Sequence, residues 1–266
     1  FDLGAGCTSF VYALATGHQF IACGTYDNVL IIGAEANTRF LDWQDRNTCV
    51  LFGDGAGAVV LQASQVPSGV TSVVLGADGS GTKHIFIPGG GSRCPFDEEV
   101  RKRRDQFIKM NGREVFKFAS RILSQATLAV VENCGLSLDD IALVIPHQAN
   151  ARILEAACKN MKLPPEKMYM NLDRYGNTSA ASVPIALCEA VEEGRIHDGD
   201  NIVLVGFGAG LTWAATLVHW GVPEVLPIPL KFLMGFKVPS VVRDAAVTVS
   251  SLTGLLLLPF LSKSND

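Results

Sequence analysis

The sequence lacks the excess of charge and the low hydrophobicity that accompany disorder or nucleic-acid binding. Its 22 Lys and Arg residues are offset by 26 Asp and Glu residues, which leaves a net charge of −4 on 266 residues. Hydrophobic residues make up 48% of the chain, enough to bury the core of one large domain or two ordinary ones. A general nucleic-acid-binding role is disfavoured, because neutralising phosphates needs a clear basic excess.

Paired cysteines and phosphate-binding loops are also missing. The seven cysteines are odd in number and no two are spaced as CxxC, which argues against a disulfide framework or a zinc site and fits a reducing compartment. No GxxxxGK[ST] motif occurs. Gly206–Gly210 (GFGAG) precedes strand-like residues, whereas a dinucleotide-binding loop opens a helix. We expect these backbone amides to suit an oxyanion instead.

No apolar run clearly predicts a membrane span. Ala245–Leu261 holds 17 uncharged residues, at the low end of the roughly 17–25 that cross a bilayer, and it includes four hydroxyl side chains and Pro259. We expect a poorly ordered or locally packed extension there. The first residues, FDLGAGC, are typical of the inside of a domain, so we expect upstream residues to be absent from this chain.

Short apolar runs alternate with helical patterns along the chain, which predicts a layered α/β fold. The continuous run Val29–Ala34 is typical of a strand covered on both faces. A cluster of Pro, Ser and Gly at Val66–Gly69 predicts a boundary. Other predicted strands are Ala56–Ala63, Val70–Leu75, Ala142–Ile145, Ile202–Gly206 and Thr212–Val218, and predicted helices begin near Cys7 and span Gly112–Cys134, Asn150–Asn160 and Ser179–Glu193.

Cys7 follows a glycine turn and lies where a helix is predicted to begin. The N-terminal end of a helix carries partial positive charge and free N–H groups, and both favour the nucleophilic thiolate over the thiol. Position alone therefore makes Cys7 a candidate nucleophile. The alternative is a small cysteine buried in the core, which is the commoner role.

His147 and Asn177 are the other candidates for chemistry. His147 lies in IPHQAN at the predicted end of a strand, where reactive groups collect in α/β folds. Asn177 lies in YGNTSAAS ahead of a predicted helix. Ordinary roles stay open for both, because a loop histidine can be satisfied by its neighbours and Asn or Ser commonly caps a helix.

Basic residues form rows on two predicted helices. Arg113, Lys117 and Arg121 are four residues apart on the first, and Arg152 and Lys159 are seven apart on the second. Such rows usually serve only to keep a helix soluble, but they also suit an acidic partner.

The order Cys7, His147, Asn177, with separations of 140 and 30 residues, also fits papain-like proteases. The local sequence does not, because the papain signature C-G-[SA]-C-[WY] is replaced here by GCTSF. A protease is therefore disfavoured.

Six segments instead resemble β-ketoacyl-acyl-carrier-protein synthase III, the condensing enzyme that starts type II fatty-acid synthesis. They lie in the family's order over residues 1–221, and the DW-DR-T wording with the GAGLTW ending is most similar to plastid and cyanobacterial members. The segments are GAGCTSF (4–10), DWQDRNTCVLFGDGAGAVVL (42–61), NGREVFKFA (111–119), PHQANARI (146–153), GNTSAASVP (176–184) and GFGAGLTW (206–213).

This resemblance implies a thiolase-like fold, with two related α/β halves in a layered αβαβα arrangement and normally a homodimer. Residues 1–66 would be the remainder of the N-terminal half with the nucleophile helix, and 67–221 the C-terminal half with the His and Asn loops. Residues 222–266 would be an extra, poorly ordered tail. The family's N-terminal portion has no counterpart here, so the first half is expected to be incomplete.

The resemblance also implies roles for single residues. Cys7 matches the acyl-accepting cysteine, and His147 and Asn177 match the pair that assists decarboxylation. The backbone N–H groups of Cys7 and Ala209 match the oxyanion hole, and Phe207 matches the aromatic residue of the substrate pocket. Positions near coenzyme A are matched by Arg46, Asn150 and Arg152, and the carrier-docking face by Lys117, Arg152 and Lys159.

The implied reaction is a decarboxylating Claisen condensation of acetyl-CoA with malonyl-acyl-carrier protein through an acyl-Cys7 intermediate, yielding 3-ketoacyl-carrier protein and CO₂. Coenzyme A thioester is then a substrate, and no metal or redox cofactor is expected. The expected partners are acyl carrier protein, both thioesters and a second copy of the chain, with no nucleic acid and no membrane. The implied location is the plastid stroma or the bacterial cytoplasm.

Two other functions stay open at this point. One is a thiolase-fold relative that takes another acyl-CoA starter, including a chalcone-synthase-like enzyme. The other is a non-catalytic paralogue that binds coenzyme A or the carrier. The sequence also departs from the family at Ser9, where Gly is usual, and we expect this side chain to crowd the turn behind Cys7.

Overall fold

The computed structural model describes residues 1–64 and 67–221 and the backbone of the strand 255–259. Helices and strands alternate through most of this part of the chain, which confirms the predicted layered α/β class. The helices are α1 Ser9–Ala22, α2 Glu98–Arg103, α3 Gly112–Glu132, α4 Ala151–Met161, α5 Leu172–Tyr175 and α6 Ser182–Glu192. The strands are β1 Asn28–Ala36, β2 Asp54–Gln62, β3 Gly69–Ala77, β4 Ile85–Phe86, β5 Lys109–Met110, β6 Leu143–Pro146, β7 Asn201–Gly208, β8 Thr212–His219 and β9 Leu255–Pro259.

The strands form two main sheets. The larger has the order β3-β8-β7-β6, with β6 parallel to β7 and the other pairs antiparallel. The smaller has the order β1-β2-β9 and is antiparallel throughout. A short pair, β4 with β5, lies apart from both. The predicted strands on either side of GFGAG are therefore a hairpin, β7 to β8, and not the start of a dinucleotide-binding unit.

Alternate side chains of β7 point into two different cores, as the two-residue period of a strand requires. Val203, Val205 and Phe207 pack into the core formed with α3 and α4. Ile202 and Leu204 pack into the core formed with α1, α6 and the smaller sheet. The layers therefore run α3/α4, larger sheet, α1/α6, smaller sheet, and the nucleophile helix α1 lies between the two sheets.

One prediction about β1 is wrong. The run Val29–Ala34 was expected to be covered on both faces, but Leu30 is 54% and Ile32 is 56% exposed, while Ile31 is buried. The cause is the packing of the strand, because α1 and the Ser179–Ala181 turn contact one face of β1. The apolar side chains on the other face are open among the described residues.

The predicted domain limits fall largely at the edges of the described chain. The predicted boundary falls between residues 66 and 67. Residues 65 and 66 lie outside the described residues, and β3 begins at Gly69. Of the tail 222–266, only 255–259 is described, as the strand that pairs with β2. The Ala245–Leu261 run otherwise lies outside the described residues. Among the helices that the structure does describe, none has the length and apolar character to cross a membrane.

Candidate active site

Cys7 lies in a turn that hydrogen bonds fasten to the β7–β8 hairpin. The helix behind it begins at Ser9, with Thr8 at the N-cap position, which confirms the predicted helix start. The Thr8 hydroxyl donates to the Ala5 carbonyl at 2.5 Å and lies 2.8 Å from Thr212 Oγ1. Thr212 also donates to the Ala5 carbonyl at 2.8 Å. A residue 205 positions away thus fixes the backbone that carries the thiol.

Two glycines let the nucleophile turn approach the hairpin. Gly6 has φ +58°, and a Cβ there would come within 2.9 Å of the Ala209 nitrogen. A Cβ on Gly208 would come within 2.6 Å of the Cys7 nitrogen. Contacts this short leave no room for a side chain, so glycine is required at both positions. They also bring the backbone amides of Cys7 and Ala209 close to one another.

The expectation that Ser9 crowds the turn is wrong. Its hydroxyl donates to the Gly6 carbonyl at 2.7 Å and accepts the Ala5 N–H at 2.8 Å. The side chain therefore closes the turn from behind by satisfying two backbone groups that would otherwise need water.

His147 lies just beyond the end of β6, as predicted, and it is 1% exposed. Its backbone N–H donates to the Val205 carbonyl at 2.8 Å, and its ring meets Phe207 edge-on with centroids 5.3 Å apart. Among the residues described, no group hydrogen-bonds its Nδ1 atom. Burial lowers the pKa of His147 to about 3, so the ring is neutral and presents one N–H donor near neutral pH.

The backbone and the side chain of Asn177 are both held by neighbours. The Asn177 N–H donates to the Leu51 carbonyl and its carbonyl accepts from the Gly53 N–H, each at 2.9 Å. Its side-chain Oδ1 accepts the Ser179 N–H at 2.8 Å, as an Asx turn does. With Oδ1 fixed in this way, the Nδ2 group is turned to the opposite side of the amide as a donor.

One cavity of about 580 Å³ brings these side chains together. Its wall includes Cys7, His147, Asn177 and Phe207, which the sequence places in four separate segments. Its other lining residues are mostly apolar and come from the 47–52 loop, β4, β5, α3 and the start of α4. The cavity therefore offers a thiol, a neutral imidazole and a carboxamide to one partly apolar space.

The expectation that helix α1 keeps Cys7 as a thiolate is contradicted. Cys7 is buried, and desolvation raises the pKa of its thiol to about 11, above its ordinary value. The helix begins two residues later, so its partial charge acts on the thiol from outside the first turn. The resting side chain is a thiol, and its proton must leave during any attack.

The remaining predicted residues lie around the cavity in different settings. Asn150 lines the cavity and its Oδ1 caps α4 by accepting the Arg152 N–H at 2.9 Å, which confirms the predicted cap. Arg46 is exposed beside the lining residue Asn47. Ala209 follows the lining residue Gly208. Arg46 and Arg152 do not themselves line the cavity.

The two basic rows lie on neighbouring helices. α3 packs against α4, and the Asn160 amide donates to the Ser120 carbonyl across the pair at 3.1 Å. Lys117 is exposed and forms an ion pair with Glu114 at 2.7 Å, and Lys159 is exposed on α4. Val115, Phe118 and Ile122 are buried on the opposite side of α3, as the spacing predicts.

Several residues of the site were not found by sequence reasoning. Ser179 binds the Asn177 side chain directly through its N–H. Thr212, Gln148 and Glu35 instead hydrogen-bond neighbours of the predicted residues, namely Thr8, Asn171 and Ser179. Ser179 was seen only as a possible helix residue. Glu35 lies in a strand with no motif around it, so no local signal could have singled it out.

Comparison with known families supports what the geometry indicates. Residues 131–220 match the family model "3-Oxoacyl-[acyl-carrier-protein (ACP)] synthase III C terminal". Residues 1–79 match the model "3-Oxoacyl-[acyl-carrier-protein (ACP)] synthase III". The β-ketoacyl-[acyl-carrier-protein] synthase III of Symbiobacterium thermophilum is 52% identical over 221 residues, which is 83% of this chain and 67% of that one. The chain belongs to the 3-oxoacyl-[acyl-carrier-protein] synthase III family.

Other family members agree with this assignment. The enzyme of the same description from Caldanaerobacter subterraneus subsp. tengcongensis is 53% identical over 220 residues, covering 83% of this chain and 66% of the relative. This chain thus spans about two thirds of the length of the curated relatives it matches. Both relatives are bacterial, and the predicted plastid or cyanobacterial type stays a prediction.

Solved structures of similar proteins have the same fold. The synthase III of Thermus thermophilus has a TM-score of 0.76 and 48% identity, covering 83% of this chain and 68% of that one. The priming β-ketosynthase of the R1128 polyketide biosynthetic pathway has a TM-score of 0.74 and 33% identity, covering 84% and 66%. The predicted thiolase-like fold is therefore confirmed.

Proposed function

We propose that the chain catalyses the initiating condensation of type II fatty-acid synthesis. Acetyl-CoA would acylate Cys7, and malonyl-acyl-carrier protein would then lose CO₂ and attack the acyl group, giving 3-ketoacyl-carrier protein. The observation that carries this proposal is the single cavity shared by Cys7, His147 and Asn177. Their residue types match the two half-reactions, and the similar curated relatives are named β-ketoacyl-[acyl-carrier-protein] synthase III.

The first half-reaction needs an acyl acceptor and a place for negative charge. Cys7 Sγ attacks the thioester carbon, CoA leaves as its thiol, and the acyl group stays on sulfur. The carbonyl oxygen becomes anionic in the tetrahedral intermediate. The backbone N–H groups of Cys7 and Ala209, drawn together by Gly6 and Gly208, are suited to donate to it.

The second half-reaction needs donors at the thioester oxygen of the malonyl group. Loss of CO₂ leaves an enolate, whose oxygen is stabilised by hydrogen bonds. The neutral His147 ring and the Nδ2 group of Asn177 are both suited to donate hydrogen bonds to this oxygen. The enolate carbon then attacks acyl-Cys7, and the sulfur leaves as the thiol.

The cavity is lined in large part by apolar side chains, which suits an acyl chain. Phe207 closes one side against His147 and is itself buried. We propose that Asn150, Arg46 and Arg152 lie toward the coenzyme A nucleotide, because Asn150 is on the wall and the two arginines are exposed close by in sequence. Exposed arginines suit phosphate oxygens.

Lys117, Arg152 and Lys159 are proposed to dock the acidic carrier protein. The three are exposed on the packed pair α3 and α4, whose first turns also supply wall residues of the cavity. A carrier bound there would deliver its thioester to the site over a short distance. Exposed charges of this kind act mainly on encounter rate and partner choice.

The proposal requires neither a metal nor a redox cofactor, because neither half-reaction changes an oxidation state and the anionic oxygens are met by imidazole, carboxamide and backbone amide donors. We further propose the homodimer that the resemblance implies. The bacterial relatives favour a bacterial cytoplasm over a plastid stroma as the location.

A second function within the fold is the use of another acyl-CoA starter. The similarity to a priming β-ketosynthase of a polyketide pathway favours keeping this candidate. A non-catalytic paralogue that only binds coenzyme A or the carrier is less favoured, because Cys7, His147 and Asn177 share one cavity.

The experiment that tests the proposal separates the two half-reactions. Cys7→Ser should abolish transfer of the acetyl group to the chain. His147→Ala should leave acylation of Cys7 intact and stop release of CO₂ from malonyl-carrier protein. If His147→Ala instead leaves CO₂ release unchanged, the assignment of the second half-reaction is wrong. Comparing acetyl-CoA with longer acyl-CoA thioesters on the wild-type chain decides between the two starters.

A further inference from the structure

Glu189 is a largely buried carboxylate on α6 that accepts hydrogen bonds from three side chains. Its own side chain is 15% exposed. Its Oε2 atom accepts from Arg174 Nη2 at 2.8 Å and from Asn171 Nδ2 at 2.7 Å, and its Oε1 atom accepts the Tyr175 hydroxyl. A carboxylate removed from water needs such partners, because an unpaired buried charge is strongly destabilising. All three partners come from the five residues 171–175.

The same contacts hold α5 at both of its ends. Asn171 is the residue before the helix, and Tyr175 is its last residue. The hydrogen bond to Glu189 raises the pKa of Tyr175 above its ordinary value, so the phenol stays protonated and serves as the donor. The Arg174 guanidinium carbon also lies 5.8 Å from the centre of the Tyr175 ring. One carboxylate on α6 therefore fixes the whole of this short helix.

α5 leads directly into the turn that carries Asn177. The helix ends at Gly176, whose φ is +64° and whose N–H donates to the Leu172 carbonyl at 2.8 Å. The next residue is Asn177, whose N–H donates to the Leu51 carbonyl at 2.9 Å. Because one residue separates Tyr175 from Asn177, a shift of α5 moves the carboxamide donor with it.

Asn171 also connects Glu189 to the loop that carries His147. While its side chain binds Glu189, its backbone N–H donates to Gln148 Oε1 at 3.0 Å. Gln148 Nε2 donates to the Pro146 carbonyl at 2.9 Å, so this side chain holds the backbone on both sides of His147. Asn171 and Gln148 are each 1% exposed. In a buried network of this kind, each contact limits the movement of the next.

We propose that Glu189 is a positioning residue for the second half-reaction, because it holds the two loops that supply His147 and Asn177. It reaches Asn177 through α5, and it reaches His147 through Asn171 and Gln148. Glu189 does not line the cavity, so it acts on the alignment of the donors and not on the reacting atoms. This inference rests on the proposed function and names a residue that keeps its two enolate donors in place.

The network predicts an effect on one half-reaction only. The turn that carries Cys7 is fastened by other bonds, in which the Thr8 and Thr212 hydroxyls join it to the β7–β8 hairpin. The bonds of Glu189 fasten α5 and the His147 loop instead. Loosening them should therefore misalign the donors to the enolate oxygen and leave acylation of Cys7 intact.

Three variants and a control test this contact. Glu189→Ala removes all three acceptor contacts. Asn171→Asp places a second carboxylate against Glu189, and the two charges repel. The double variant Asn171→Asp/Glu189→Gln exchanges the two groups, so that an amide donates from position 189 to a carboxylate at position 171. Glu193→Ala is the matched control, because Glu193 also pairs with Arg174, at 3.4 Å, but has a side chain that is 43% exposed.

Each chain is assayed for acetyl transfer from acetyl-CoA to Cys7 and for CO₂ release from malonyl-acyl-carrier protein, with urea unfolding as the check of folding. Glu189→Ala and Asn171→Asp should each lower kcat for CO₂ release by about 10²-fold, the scale for misplaced reacting groups. KM for malonyl-carrier protein and the rate of acetyl transfer should stay at wild-type values. The exchanged pair should recover most of kcat, and Glu193→Ala should change neither half-reaction.

Two results contradict the positioning role. If Glu189→Ala slows both half-reactions equally, the carboxylate supports only the fold. If the exchanged pair releases CO₂ as slowly as Asn171→Asp alone, the contact between the two side chains does not align the donors, and this result decides even where Glu189→Ala does not fold. A wild-type chain that neither takes acetyl nor releases CO₂ contradicts the proposed function itself. A wild-type chain active in both, with unchanged variants, contradicts the positioning role alone.

Discussion

Gly208 lies so close to Cys7 that a methyl group at position 208 would come within 2.6 Å of the Cys7 nitrogen. The atom it would meet belongs to the backbone, which cannot turn aside as a flexible side chain can. The distance between the β7–β8 hairpin and the nucleophile turn is therefore fixed by the absence of a side chain at one position.

Gly208→Ala should displace the Cys7 turn and lower acetyl transfer by about 10²-fold, since small misplacements of reacting groups have effects of that size. The free energy of unfolding should fall by about 1–3 kcal/mol, the usual effect of overpacking. Gly206→Ala is the control on the same strand, because its Cβ would lie 3.4 Å from Thr8 Cγ2. Equal activity in the two variants would contradict the account.

His147 should make the fold sensitive to mild acid. Its pKa is lowered to about 3 in the folded chain from an ordinary 6.5, so the unfolded chain binds the proton first. The stabilisation is present above pH 6.5 and is lost as pH falls toward 3. Between pH 6.5 and 5.0 the slope of 1.36 kcal/mol per unit gives a loss of about 2 kcal/mol.

Urea unfolding of the wild type and of His147→Asn at these two pH values checks this prediction. The variant should lack the part of the pH dependence that belongs to His147, whereas His18, whose pKa burial also lowers, contributes equally to both chains. An identical loss in both chains would show that His147 is not buried as a neutral ring.

Gln148 directly follows His147, and its side chain should hold the backbone that positions the His147 ring. Its Nε2 donates to the Pro146 and Tyr169 carbonyls at 2.9 and 3.1 Å, and its Oε1 accepts the Asn171 N–H at 3.0 Å. Gln148→Leu leaves these buried groups unpaired, which should cost about 1–3 kcal/mol. Release of CO₂ should fall more than acylation of Cys7.

A comparison with Asn160→Ala controls for the loss of a side-chain amide, because Asn160 hydrogen-bonds one exposed carbonyl. In that variant the free energy of unfolding should change by no more than about 0.5 kcal/mol. The rates of both half-reactions should stay the same. If Gln148→Leu behaves in the same way, the site does not depend on this network.

Lys117→Glu should weaken use of the carrier protein without changing acylation by acetyl-CoA. Its ion pair with Glu114 is exposed, so the effect on stability should stay within about 0.5 kcal/mol. Lys102→Glu is matched, because Lys102 forms the same i,i+3 pair with Glu99 outside the basic rows. KM for malonyl-carrier protein is measured at two salt concentrations. Relative to the wild type, it should rise in Lys117→Glu and stay unchanged in Lys102→Glu.

Local patterns predicted much of the fold. The β7–β8 hairpin, the Asn150 cap and the buried side of α3 follow from glycine placement, capping chemistry and helical period, each of which acts over a few residues. The gathering of Cys7, His147 and Asn177 in one cavity was expected from the family resemblance and not from their spacing, which fits a protease equally well.

What the sequence could not predict depends on tertiary packing. The exposure of Leu30 and Ile32 depends on which elements cover β1, and an apolar run alone does not tell this. The protonation of Cys7 depends on burial, which outweighs the nearby helix end. The contact of Ser179 with Glu35 joins positions 144 residues apart and leaves no mark in either local sequence.

The most direct test is mass spectrometry of the 266-residue chain after incubation with acetyl-CoA. One added acetyl group is expected, on the peptide that contains Cys7 and absent from Cys7→Ser. Exposed Cys23 serves as the internal comparison, since it lies outside the cavity and should stay unmodified. Binding of coenzyme A with no acetyl group on Cys7 would contradict the account and favour a non-catalytic paralogue.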